Sequence, residues 1–286
     1  MIMKLLKWSA MVAMAVLAAG GFSACDDDND NPNPIQPGAG DELTFNVSDV
    51  FEKGAPKGIG DMNIQTDSEG RVTGMVDNTS GETVKFVRLD KNSDLARDFD
   101  LIMLIKEGNE TEELRLRLNK SGYVEYCQEK DVDGDMDEWS FEYNSHGQMS
   151  KMTRTEGAKE VYEIKYDGNR NITEVVVTSD ELHEGGTNVI DYGAAPIANL
   201  GNLMLFDECF GIDLDEMEYA YYAGILGRST ASLPISKVFT GDIPAQGDET
   251  DTLTWTFNDG GFPTNLIVTE KSQWGEMETD RFSFRW

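Results

Sequence analysis

The sequence predicts an all-β protein, an antiparallel meander closing into a barrel-like or strongly curved sheet, with one amphipathic helix near residues 213–226. Three observations carry this. From residue 43 onward, short runs of alternating apolar and polar residues are separated by turn residues every ten to fourteen positions, the mark of half-buried strands joined as hairpins. Several of those turns share one script. The period becomes helical only between Asp191 and Ser236.

The composition bounds the rest. The chain has 286 residues, with 24 basic against 53 acidic side chains and a formal net charge of −29. That length fits one large β domain or two average ones, and 39% hydrophobic residues are enough for a core. Such an acidic chain repels phosphate backbones, so nucleic acid is excluded as a partner. With three Cys and two His, no Cys/His zinc constellation can be assembled, and metal chemistry would have to use carboxylates.

Lys4 and Lys7 precede an apolar stretch from Trp8 to Leu17, which runs through small residues to Phe22-Ser23-Ala24-Cys25. This is the layout of a secretory signal, too short for a stable membrane span. The Cys after Ser23-Ala24 resembles the bacterial lipoprotein box, with Phe22 where that pattern prefers Leu, Val or Ile. The resemblance implies cleavage after residue 24, lipidation at Cys25 and anchoring to the outer membrane. Removal of residues 1–24 takes away two lysines and leaves 22 basic against 53 acidic residues, a charge of −31. Residues 25–41, acidic and then Pro/Gly-rich, read as a solvated tether. Asp26, Asp27 and Asp28 also resemble the signal that exports Bacteroidetes lipoproteins to the cell surface; a plain charged spacer, with the protein facing the periplasm, is the alternative. The remainder, 42–286, is read as a single domain.

Within it, the shared turn script is Asp/Asn, two variable residues, then Gly: Asp67 to Gly70, Asn119 to Gly122, Asn144 to Gly147 and Asn258 to Gly261. The Asx side chain caps the turn, and the left-handed Gly sends the chain into the next strand. Five residues after each Gly stands an apolar residue, Met75, Cys127, Met152 and Leu266, as an inward face requires. Asp167-Gly168-Asn169-Arg170-Asn171 reads as a variant one residue different in phasing, and Asp90-Lys91-Asn92-Ser93 as a decayed copy.

The strands are amphipathic: Trp139, Phe141 and Tyr143 alternate with Ser140 and Glu142, and Leu253, Trp255 and Phe257 with Thr254 and Thr256. A non-spanning barrel would turn that aromatic face inward, and a membrane-spanning one would turn it toward lipid. The charged outward positions favour the former. In the helical stretch, Asp213 and Glu216 resemble a capping box, and Leu214, Met217, Tyr221 and Ile225 share one face before Gly227. A helix of about thirteen residues follows, either a lid over a cavity or a core plug.

The segment Tyr221-Tyr222-Ala223-Gly224-Ile225-Leu226-Gly227-Arg228-Ser229, with Thr256-Phe257-Asn258-Asp259-Gly260-Gly261-Phe262-Pro263-Thr264, resembles a Bacteroidetes lipoprotein family of unknown function with a porin-like fold. The turns echo YD-like repeats as well. The resemblance implies a barrel-like meander without membrane insertion and supplies no catalytic residue.

Candidate chemistry is sparse. Asp131, Asp133, Asp135 and Asp137 crowd one segment and are a calcium candidate, but the EF-hand spacing is not met and Asp133-Gly134 suits a tight hairpin, so no metal or other cofactor is expected. His146 and His183 lie in turns with no nucleophile beside them, and no nucleophile elbow is present. Cys127 and Cys209 are either a disulfide or two buried thiols. Asn46, Asn78, Asn109 and Asn171 fit a glycosylation pattern that means little in a bacterial lipoprotein. The sequence therefore points to a non-catalytic ligand-binding or interaction module of the cell envelope. Exposed loop-tip aromatics would indicate a glycan, an aromatic-lined hollow an apolar small molecule, and a filled core a structural envelope protein. An envelope hydrolase is the remaining class.

Overall fold

The computed structural model describes residues 41–130, 136–181, 185–243 and 247–286. The signal, Cys25, Asp26 to Asp28, Asp131, Asp133, Asp135 and His183 lie outside them. Sixteen antiparallel strands form a closed barrel. In chain order they are β1 (Gly58–Ile59), β2 (Met62–Thr66), β3 (Val72–Asp77), β4 (Thr83–Arg88), β5 (Leu101–Glu107), β6 (Glu110–Leu118), β7 (Val124–Lys130), β8 (Met136–Tyr143), β9 (Met149–Glu156), β10 (Ala158–Tyr166), β11 (Ile172–Ser179) and β12 (Gly186–Asp191). The chain then leaves the wall. It makes a two-stranded ribbon of β13 (Ile197–Ala198) and β14 (Ser232–Leu233) around two short helices, α1 (Phe206–Phe210) and α2 (Glu218–Tyr222). β15 (Ser236–Gly241), β16 (Asp248–Phe257), β17 (Pro263–Ser272) and β18 (Met277–Arg285) complete the wall, and β18 closes on β1 through Gly58↔Arg285 and Ile59↔Phe284.

The aromatic face points inward. Trp139, Phe141, Leu253 and Phe284 are buried, and the intervening outward positions of β16, Thr250, Thr252, Thr254 and Thr256, are exposed. Alternation with period two makes one face of each strand apolar. Met75, Cys127, Met152 and Leu266 are all buried in the same core.

Sixteen strands enclose more space than their own side chains fill, which is why porins of that size carry a channel. Here residues 192–235 occupy that space. Phe206, Phe210, Ile212, Leu214, Tyr221 and Leu226 belong to one buried cluster with wall residues from β2 through β18. Phe51 packs edge-on to Tyr221 at 5.6 Å, and Phe206 packs edge-on to the same ring at 5.2 Å. The segment is a core plug.

The predicted helix is broken. A 3-10 turn over Asp215–Met217 leads into α2, which ends at Tyr222. The capping box does not form: Leu214 occupies the N-cap with no side-chain bond, because Asp213 is drawn to Arg154 of the wall at 3.1 Å. An ion pair with a buried guanidinium outweighs a local cap. α1 carries no helical periodicity in its five residues, and the sequence did not signal it.

Candidate functional site

Hairpin connections alternate between the two ends of the barrel, and the ends differ chemically. At one end, called here the turn rim, one hydrogen-bond pattern recurs. Asp67 Oδ1 accepts from the N–H groups of Glu69 and Arg71 at 2.9 and 3.0 Å. Asn119, Asn144 and Asn258 do the same for Ser121 and Tyr123, His146 and Gln148, and Gly260 and Phe262, at 2.8–3.1 Å. Gly70, Gly122, Gly147 and Gly261 take φ of 75, 82, 75 and 79°, a region other residues enter only at a cost. Asp167 repeats the pattern with Asn169 and Asn171. Its phasing is therefore not shifted; Arg170, at φ 70°, stands where the others have glycine. The Asp90 turn is a partial copy, with one Asn92 N–H bond at 2.9 Å, leading into a 3-10 turn.

These turns are also the ledge on which the plug rests. Arg228 N–H donates to Gly147 O at 2.9 Å, Gln148 Nε2 to Ser229 O at 2.8 Å, and Ser232 N–H to Asn171 Oδ1 at 2.8 Å. Inside the plug, buried Asn199 accepts from Leu203 N–H and donates to the Leu203 and Thr230 carbonyls. Nothing in the turn script announced that docking role. His146 is exposed on this rim and touches no candidate nucleophile.

At the opposite end, called here the acidic rim, the inward positions change from apolar to acidic. Glu82, Glu112, Glu129, Glu160, Glu249 and Glu270 each continue the inward face of a strand whose deeper residues are buried. Plug carboxylates approach the same level. Burial pushes the Glu208 carboxyl up to about 7 and that of Glu216 up to about 8, with Asp207 and Asp215 respectively adding repulsion. Glu218, half-buried beside Glu208, is also raised well above the ordinary glutamate range by burial, and its Oε1 accepts from Phe206 N–H at 3.3 Å. Tyr219 donates to Glu82 in a short hydrogen bond.

Two cations answer these acids. Arg154, its side chain 7% exposed, bridges Asp213 at 3.1 Å and Asp215 at 2.8 Å. Lys237, buried on β15, pairs with Asp251 at 3.0 Å and donates to Asp207 O at 3.1 Å. Across β16 and β17, Asp251 faces Glu270 in register, and Glu249 stands one inward position further along. Burial and the Glu270 carboxylate push Glu249 up to about 7. Ligand oxygens of Glu249, Asp251 and Glu270 lie within 4.8 Å of one another. The sequence could not single them out among 53 acids, because strand register alone brings them together.

The next turn carries the most exposed aromatic ring of the described residues. Trp274, 66% exposed, sits at the β17–β18 tip with exposed Met277. Gln273 N–H donates to Asp248 O at 2.8 Å, tying the tip to the start of β16. Asp137, on β8, is the one member of the 131–137 acid run among the described residues. Cys127 and Cys209 are free and buried, in β7 and α1, so the disulfide alternative is not realised. Asn46, Asn78 and Asn109 are exposed and Asn171 is buried.

The barrel has counterparts among solved structures. A porin-like protein from Bacteroides uniformis ATCC 8492 aligns with a TM-score of 0.56 at 18% identity, covering 78% of this chain and 89% of the other. One from Bacteroides vulgatus ATCC 8482 gives 0.56 at 12% identity, covering 82% and 99%. At these identities the likeness is one of fold. No functionally curated protein matches. Residues 64–265 match the family described as a domain of unknown function (DUF4595) with porin-like fold; spanning most of the barrel wall and the whole plug, that match makes this chain a member of the family.

Proposed function

We propose that this protein is a lipid-anchored, non-catalytic binding module of the bacterial outer membrane, held at Cys25 and exposed at the cell surface, which takes a neutral glycan at its acidic rim. The observation that carries the reading is Trp274, a ring left 66% exposed at a loop tip, where sugars stack on aromatic faces. The filled interior supports a rim site over a lumenal carrier for an apolar molecule. Carboxylates around Trp274 supply acceptors for hydroxyl groups and repel anionic sugars.

The polar outer face supports a barrel that hangs beside the membrane rather than crossing it, since a spanning barrel presents an apolar band outward.

The filled core also favours one competing reading, a structural envelope protein with no small ligand. Affinity electrophoresis of the wild type and Trp274→Ala through neutral polysaccharides separates the two. Retardation lost in the variant supports the glycan reading, and equal migration of both proteins in every gel leaves the structural one. Anchoring is tested apart from this, by the shift of Cys25→Ala from the membrane to the soluble fraction.

A further inference from the structure

We propose that Glu249, Asp251 and Glu270 bind one hard divalent cation, calcium by their chemistry, inside the acidic rim. This stands independently of the glycan reading. The sequence suggested calcium, if anywhere, in the 131–137 acid run; strand register places a better oxygen cluster elsewhere.

The first ground is geometry. Calcium holds carboxylate oxygens at about 2.3–2.6 Å, so oxygens sharing one ion are at most about 5 Å apart. The three ligand oxygens here meet that limit at 4.8 Å, and they project from adjacent strands of a closed wall, Asp251 directly opposite Glu270. An all-oxygen set selects a hard cation over zinc or copper.

The second ground is an oxygen with nothing to accept. Asp251 is 3% exposed. Its Oδ2 meets Lys237 Nζ, but its Oδ1 is buried without a hydrogen-bond partner. A buried acceptor left unsatisfied is destabilising, and a cation among the three carboxylates would satisfy it. Charge agrees: three carboxylates with the Lys237 ammonium leave two negative charges, which one divalent ion neutralises.

Calcium chloride alone, titrated calorimetrically into the full-length, chelator-treated protein, tests this. The expected result is one site, weakened by about tenfold or more in Glu249→Gln and Glu270→Gln, and unchanged in Asp133→Asn. The two Gln variants avoid stranding Lys237, and their thermal unfolding in chelator, as high as wild type, shows that they fold. No heat at millimolar calcium, wild-type affinity in both Gln variants, or loss of binding in Asp133→Asn overturns the proposal.

Discussion

The two rims close the same barrel by opposite means. At the turn rim, short Asx–Gly hairpins satisfy their own backbone and lend carbonyls, an amide and an Asn side chain to the plug, so that end is sealed by neutral hydrogen bonds. At the acidic rim, the same strands end in inward carboxylates, and two buried cations pair with acids there, Arg154 with Asp213 and Asp215 of the plug and Lys237 with Asp251 of the wall. The first arrangement is local and repeats along the chain. The second exists only because distant strands and the plug meet. A protein can afford an electrostatically unsettled end where the other end holds the fold, and unsettled groups are what ligands and ions bind.

The largest effect should come from cutting the plug that joins the rims. Phe210→Ala removes a fully buried ring and is expected to cost about 3–5 kcal/mol, read as a fall in Tm of about 10 °C for a domain of this size. A loss much smaller than this would mean that the wall stands without its plug. Next, Arg154→Ala strands Asp213 and Asp215. Because those partners are about a quarter to a third exposed, the expected cost is about 2 kcal/mol, below the range for a fully buried pair. Thermal unfolding should show that loss shrinking when Asp213 and Asp215 are also changed to Asn.

Acidity separates the rims without mutation. Glu208, Glu216 and Glu249 have folded values raised above the ordinary glutamate range, to about 7, 8 and 7. Between the unfolded value near 4.5 and these raised values the folded state binds more protons than the unfolded chain, so stability falls as pH rises. Their contribution is present in full below pH 4.5 and is lost through the window to about pH 8. In chelator, Tm should therefore be higher at pH 5 than at pH 8, and Glu216→Gln should flatten that slope. A Tm that rises steadily to pH 8 would contradict the placement of these acids.

The smallest effects lie in the turns. Gly70→Ala meets open space, whereas a Cβ on Gly147 comes within 3.1 Å of the Tyr123 ring. Both must hold a left-handed backbone, at about 1 kcal/mol, and Gly147→Ala should cost more by the added crowding. Arg170→Gly removes the same strain from the one non-glycine copy, and chemical denaturation should find it no less stable than wild type.

How much was legible follows from range. Asx–Gly turns, strand alternation and the inward set Met75, Cys127, Met152 and Leu266 are written in residues a few positions apart, and they appear in the structure because the physics that forms them is equally short-ranged. The helical stretch was visible, but its form was not. Asp213 was read as a cap because Arg154 is far away in sequence, and α1 is too short to show a period. Trp274 was one aromatic residue among many until its exposure was known.

Local residue patterns are enough to make this chain an antiparallel meander of hairpins with one polar and one apolar face, because side-chain alternation and turn chemistry act within a few residues. That the barrel is filled, that one rim is neutral and the other acidic, and that Glu249, Asp251 and Glu270 meet is visible only in the folded molecule. Those outcomes depend on register across strands and on where residues 192–235 come to rest, and both are settled by long-range packing rather than by any local preference.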